Sequence, residues 1–326
     1  MHPFATYIQA LGRGKKGARS LSESEAYDAF LAILNNTIEP IQLGAFLMLL
    51  RVKEETPEEL AGFVRACRSA IHAPTDTTVD IDWPSYAGKR KQPPWFVLSL
   101  LCLADAGYTI LVHGVQGHTP DRLYTEQVFD GLSLPKSNTW PDVSGALATN
   151  RLSYLPIERM HPVLGYLLRL KPTLGLRSPV HTLCRLINPL SAKHSFQSVF
   201  HPAYAQKHQA AAHLLGQQSM AVFKGEGGEI ERNPEANTLV KSLYNGVSRE
   251  HTWPRLLPKQ VGQDAPVVSI DSLRQIWRAE HDDTYAYHAV IATMAIVLGQ
   301  IHPELSQDDL LDRAKQHWQA RNPTRC

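Results

Sequence analysis

Apolar positions in the first seventy residues recur at helical spacing. Ser22 or Ser24 stands where a helix cap is needed, and Glu25 supplies an acid to the first turn. Ala26, Phe30, Ile33 and Leu34 then fall on one face, and Asn35-Asn36 ends the stretch. Leu43, Phe46, Leu47 and Leu50 form the stripe of a second helix over about 40–52. Thr56-Pro57-Glu58-Glu59 is a helix start: a hydroxyl cap, a proline where its missing N–H matters least, and acids facing the dipole. The third helix runs to about Ile71, so residues 1–72 read as a compact all-helical unit.

Beyond 77 the pattern shortens. Thr77–Ile81 is β-prone, a loop follows at 84–94, and an apolar helix is expected from about Trp95 to Ala106. Tyr108–His113 reads as a buried strand closed by Gly114. Strand, loop, helix, strand is a βαβ unit, which requires a parallel sheet. The polar stretch 135–150 reads as loop and 160–190 as helical. Met220–Lys224 is a further strand, ended by Gly225, and 271–321 reads as two amphipathic helices. There are no repeats and no low-complexity tract. The expected class is α/β, with a small all-helical domain and a larger α/β domain whose mainly parallel central sheet is flanked by helices.

Composition narrows this little. A 43% hydrophobic and 20% charged chain of 326 residues is that of a globular protein. No apolar stretch reads as long enough to span a membrane, the run 43–52 being cut at Arg51 and Lys53. The start lacks the apolar core and cleavage site of a signal peptide. Cys67, Cys102, Cys184 and Cys326 form no CxxC pair, so buried thiols in a reducing cytoplasm are expected rather than disulfides or zinc. The net charge of +2 is mild, but positive charge gathers at Arg13, Lys15, Lys16 and Arg19 and again at Lys89, Arg90 and Lys91. On residues alone, each run reads more readily as a solvated loop than as a binding site.

Several segments resemble one family. LSESEAYDAFLAILNNTIEPIQLGAFLMLLRVKEETPEELAGFVRACR (21–68) is similar to the N-terminal helical domain of anthranilate phosphoribosyltransferases. His113-Gly114, His161-Pro162, LGLRSPVHTLCRLINPL (174–190), Phe200-His201-Pro202 and KGEGGEIE (224–231) follow in family order, matching the KHGN, HHPA, LGxRTxFNxLGPLxNP, YHPE and HGxDGLDE segments. The resemblance spans nearly the whole chain. It implies a helical domain at 1–76, joined in space by about 158–188, an α/β domain at 77–157 and 189–326, and a homodimer formed through the helical domains.

The match fails where the family's substrate phosphates would sit. The GTGGD loop reads Pro84-Ser85-Tyr86-Ala87-Gly88, so Pro84 lacks an N–H and Tyr86 adds bulk where glycines would let backbone approach a pyrophosphate. The NIST residues become Pro94-Trp95-Phe96-Val97, Val112 replaces the KHGN lysine, and Ile230 replaces the aspartate of a magnesium-holding pair, leaving Glu231. A degenerate cleft of Tyr86, Gly88, His113, Gly114 and Arg177 is expected. Arg177 falls at the family arginine that faces the aromatic carboxylate, and a cap or an ion pair serves equally well for it. His113 reads equally as a ligand-facing residue or a core histidine, Glu226, Glu229 and Glu231 as a metal site or, more readily, an acidic surface turn, and the two His-Pro pairs as helix-start turns.

The GRGKxxAR-like start, the PSYxG loop with its adjacent cations, VHGV and KGEGGEIE resemble the YbiB-type branch of the family. That resemblance implies a nucleic-acid-binding dimer without marked sequence preference, contacting DNA or RNA phosphates through Arg13, Lys15, Lys16, Arg19, Lys89, Arg90 and Lys91. Tyr86 and Trp95 stand beside the second run as stacking candidates, and the basic tail KQHWQARNPTRC reads as a helix end or an extension of the surface. No catalytic residue, metal or cofactor is expected under this reading. The alternative is a glycosyl or phosphoribosyl transferase with altered substrate.

Overall fold

The computed structural model describes residues 1–14, 16–117, 119–259 and 268–326. The helical unit holds α1 (Ala5–Gly12), α2 (Glu23–Leu34), α3 (Pro40–Lys53) and α4 (Pro57–Ala70). The capping signals act as read: Ser22 accepts from the Glu25 N–H and Thr56 from the Glu59 N–H, each returned by the glutamate side chain. Glu59 also accepts from the Leu21 N–H at 2.9 Å and from Lys53 Nζ at 2.7 Å, tying α4 to the chain before α2. The helices meet through Phe4, Phe30, Phe46 and Phe63, all buried, with neighbouring ring centroids 5.2–6.2 Å apart. Each such ring contributes about 2–3 kcal/mol of burial. α1 was not legible: its short segment lacks a side-chain cap.

The larger part is built on one seven-stranded sheet. Its strands are β1 (Ile81–Ser85), β2 (Ile110–Gly114), β3 (Leu152–Pro156), β4 (His194–Val199), β5 (Ser219–Lys224), β6 (Thr238–Tyr244) and β7 (Val247–Trp253). They lie in the order β3-β2-β1-β4-β5-β6-β7, the first five parallel and the last two antiparallel. The fold class is therefore the one expected. β1 lies four residues later than the β-prone stretch, and it contains Pro84. The proline is tolerated because β4 pairs with β1 only at Ile81 and Asp82, so no ladder bond is missed on that side.

Three other expectations are corrected. The stretch 135–150 is not all loop: Trp140–Asn150 is a helix, capped by Thr139 with Asp142 returning the bond. The tail holds three helices, Ile270–Trp277, Thr284–Ile301 and Gln307–Gln319. The second of these is long and apolar enough to cross a bilayer, yet two thirds of it is buried inside the protein, as befits a core helix against the sheet.

Apolar side chains cover both sheet faces. One face joins the helical unit and Ile157–Ile187 in a continuous cluster; the other packs α5 (Phe96–Asp105) and Thr284–Ile301. The carboxyl ends of β1, β2, β4 and β5 converge, as parallel strands require, and the segments leaving them hold the features of interest.

Candidate functional site

The loop after β1 is closed by the chain itself. Glu229, in the segment after β5, is 1% exposed. Its Oε1 accepts the Ala87 N–H at 2.7 Å and the Gly88 N–H at 2.6 Å, and its Oε2 accepts from Ser85 Oγ at 2.8 Å. Successive backbone N–H groups converging on an oxyanion form the arrangement that suits a phosphate. Here the anion is an internal carboxylate. Gly88 reaches this geometry at φ +67° and Gly228, opposite it, at +91°, in the region where a side chain strains the backbone. Arg122 fastens the loop from outside, donating to the Ala87 and Gly88 carbonyls at 2.9 and 3.0 Å.

Glu231 does the same two residues on. One of its oxygens meets Lys89 Nζ at 2.5 Å and the other accepts the Phe96 N–H at 2.9 Å, at the start of α5. Both partners of the ion pair are at most 1% exposed. Burial raises the Glu231 pKa, and Lys89 works against that rise. Lys89 is therefore not available to a nucleic-acid phosphate, which corrects its assignment. Of the three glutamates Glu229 and Glu231 are likewise not on a surface turn, while Glu226 is half-buried. Glu229 and Glu231 are buried because each satisfies donors that the loop after β1 presents.

Tyr86, Gly88, His113 and Gly114 line no open cleft, again a correction. The Tyr86 hydroxyl lies 2.7 Å from His113 Nδ1, and His113 Nε2 lies 3.1 Å from Asp82 Oδ1, all out of water. The Tyr86 side chain folds inward and becomes core. Trp95 is buried too, so neither aromatic offers a face to a base.

Of the remaining basic residues, Arg13, Lys16, Arg90 and Lys91 are exposed and form no salt bridge with a described carboxylate. Arg19 is exposed but gives both terminal nitrogens to Glu25 at 2.6 Å, so much of its charge is answered locally. Lys15 lies outside the described residues. The basic tail is built into the fold: Arg321 stacks on Trp318 at 3.8 Å, and Arg325 pairs with Asp105. His161-Pro162 opens the helix Pro162–Arg169 as read.

Arg177 alone of the expected cleft residues lines an open space. A cleft of about 460 Å³ lies between the end of α3, the segment around Arg177–Arg185 and the end of β4. It is bordered by Arg51, Arg177 and Arg185, by Ser178 and Ser198, and by Phe200 and the histidines 181, 201 and 208. Burial lowers the Arg177 and Arg185 pKa values, and Arg122 adds to the effect at Arg177. Burial pushes His208 down to about 3 and keeps it neutral, with its Nδ1 2.8 Å from Gln197 Oε1. Arg185 and Phe200 were matched to family segments in the sequence but not read as site residues: one sits among helical apolar residues, the other inside a His-Pro turn motif.

Similarity to known proteins follows this geometry. The profile of the glycosyl transferase family, helical bundle domain, matches residues 5–71. The chain is 28% identical to the uncharacterized protein YbiB of Escherichia coli over 233 residues, covering 70% of this chain and 72% of YbiB. It is 26% identical over 246 residues to anthranilate phosphoribosyltransferase of Geobacillus sp., covering 74% and 71% of the two chains. The fold of anthranilate phosphoribosyltransferase from Thermus thermophilus superposes with a TM-score of 0.75 at 18% identity, over 96% of this chain and 94% of that one. Sequence and fold both liken this chain to the anthranilate phosphoribosyltransferases. The Saccharomyces cerevisiae enzyme in complex with PRPP and Mg shares the fold at a TM-score of 0.77 and 16% identity, covering 99% of this chain and 95% of that chain. In this chain the loop after β1 is filled by Glu229.

Proposed function

We propose that this protein is a nucleic-acid-binding member of its family rather than a phosphoribosyl transferase. The observation that carries the reading is the pairing state of the cations: Arg13, Lys16, Arg90 and Lys91 stand exposed without a described carboxylate partner, while the loop that would take a sugar pyrophosphate already holds Glu229. Unpaired surface cations bind a polyphosphate backbone by releasing its counterions, without reading bases. The reading includes a homodimer through the helical domains and a cytoplasmic location. Exposed Ile41 and Val52 on α3, at 82% and 83%, support the first, and four free thiols suit the second.

The test is fluorescence anisotropy with labelled single- and double-stranded DNA and RNA across a salt series. Affinity falls linearly on log–log axes, and Arg90→Ala with Lys91→Ala lowers the slope on duplex DNA by roughly two units. Salt-insensitive binding, or none, overturns the proposal. A transferase of altered acceptor would instead need Glu229 to leave the loop; tight calorimetric binding of phosphoribosyl pyrophosphate with Mg²⁺ would favour it.

A further inference from the structure

The open cleft beside the filled loop is itself built for an anion. Among the described residues Arg51, Arg177 and Arg185 form no salt bridge, and the one carboxylate bordering the space, Glu54, is held by Lys207 at 2.7 Å. Arg185 gives one nitrogen to the His181 carbonyl and lies 5.9 Å from the Tyr86 ring centroid. The Ser178 and Ser198 hydroxyls, in residues 5% and 2% exposed, border the cleft and have no hydrogen-bond partner among the described residues. A buried hydroxyl without a partner loses the bonds water gave it, so two beside three guanidinium groups point to an absent acceptor.

The rim supplies an apolar face. Phe200 is 58% exposed, held edge-on against His201 with centroids 5.0 Å apart. Its Cβ lies 3.9 Å from where a Cβ on Gly228 would be, so the filled loop forms the adjoining wall. The volume lies within the range of small-ligand sites. The cleft is joined to the N-terminal basic run: Lys53 Nζ, two residues beyond Arg51, donates to Ser20 Oγ at 3.0 Å and to the Glu54 carbonyl at 2.8 Å.

We infer that this cleft binds one nucleoside monophosphate unit, its phosphate on Arg51, Arg177, Arg185 and the two serine hydroxyls and its base stacked on Phe200. Such a unit arrives either as a free nucleotide or as the phosphorylated end of a strand. The second source rests on the nucleic-acid reading above; the first does not.

Two titrations distinguish them. Adenosine monophosphate is titrated calorimetrically against the intact protein, and 5′-phosphorylated and 5′-hydroxyl oligothymidylates of one length are compared by anisotropy. Monophosphate binding, a 5′-phosphate preference of roughly tenfold, or both, is expected, and Phe200→Ala and Arg177→Gln each abolish it. Those side chains are exposed and half-buried, so circular dichroism and melting should show both variants folded. If the monophosphate does not bind and the 5′-phosphate confers no preference, or if binding survives in both variants, the inference is overturned. Oligonucleotide binding that persists in that case leaves the proposed function standing. Loss of oligonucleotide binding with monophosphate binding retained removes the proposed function and keeps the cleft.

Discussion

Replacing Glu229 by alanine removes the anion on which the β1 loop is folded. Two buried N–H groups, of Ala87 and Gly88, lose their acceptor, while Ser85 keeps a partner in Thr125 Oγ1 at 2.6 Å. An orphaned buried donor costs about 1–3 kcal/mol, so the pair predicts about 2–6 kcal/mol of lost stability. Glu229→Gln keeps an oxygen for the two donors but not its charge, and charge-assisted bonds are roughly twice as strong as neutral ones. That variant therefore loses about half as much. Urea unfolding at neutral pH, with m unchanged, measures both. The vacated cradle also gives an internal control. Inorganic phosphate should stabilise Glu229→Ala and not the parent protein, by about 2.7 kcal/mol when phosphate reaches a hundredfold its dissociation constant. If both variants stay within about 0.5 kcal/mol of the parent, the range of ordinary surface substitutions, the carboxylate is not the loop's anchor and the reasoning fails.

Other consequences follow from buried groups. Lys89→Met leaves Glu231 without its counter-ion in a dry setting and should lower stability by about 3–5 kcal/mol in urea unfolding, while the salt slope of any DNA binding stays unchanged. A change in that slope would return Lys89 to the surface. Tyr86→Phe strips a partner from His113 and should cost about 1–3 kcal/mol, with fold and dimension by circular dichroism and scattering unaltered. Burial first, and nearby positive charge second, lower His208 to about 3 and His194 to about 4. Both take up protons on unfolding below about pH 6.5, so stability falls as pH drops from there toward the folded values, by about 2 kcal/mol each at pH 5. His208→Gln should flatten that profile; an unaltered profile would show that His208 is not a source of it.

Much of the architecture was legible because it is local. The Ser22 and Thr56 caps, the stripes of α2 to α4, and the run into His113-Gly114 each declare themselves within a few residues. Two misses were legible as well. Thr139-Trp140-Pro141-Asp142 is a helix start of the kind read correctly at Thr56, overlooked because its surroundings are polar. Asn245-Gly246, with φ of 49° and 74°, is a tight-turn pair joining β6 to β7.

The site was another matter. From the sequence, resemblance alone implied what the β1 loop lacks: the family's glycines, the NIST hydroxyls and amide, and an aspartate at position 230. The sequence by itself determined that positive charge lay near. Only the tertiary structure decided which charges reach solvent. Lys89, Arg90 and Lys91 are consecutive and alike in sequence, yet one is buried against Glu231, more than a hundred residues away, and two are exposed. The carboxylate two residues earlier fills the cradle because β5 delivers its segment to the same sheet edge as β1. Pairing between distant strand ends carries no local signature, since it depends on the sheet order and on the desolvation that follows from it.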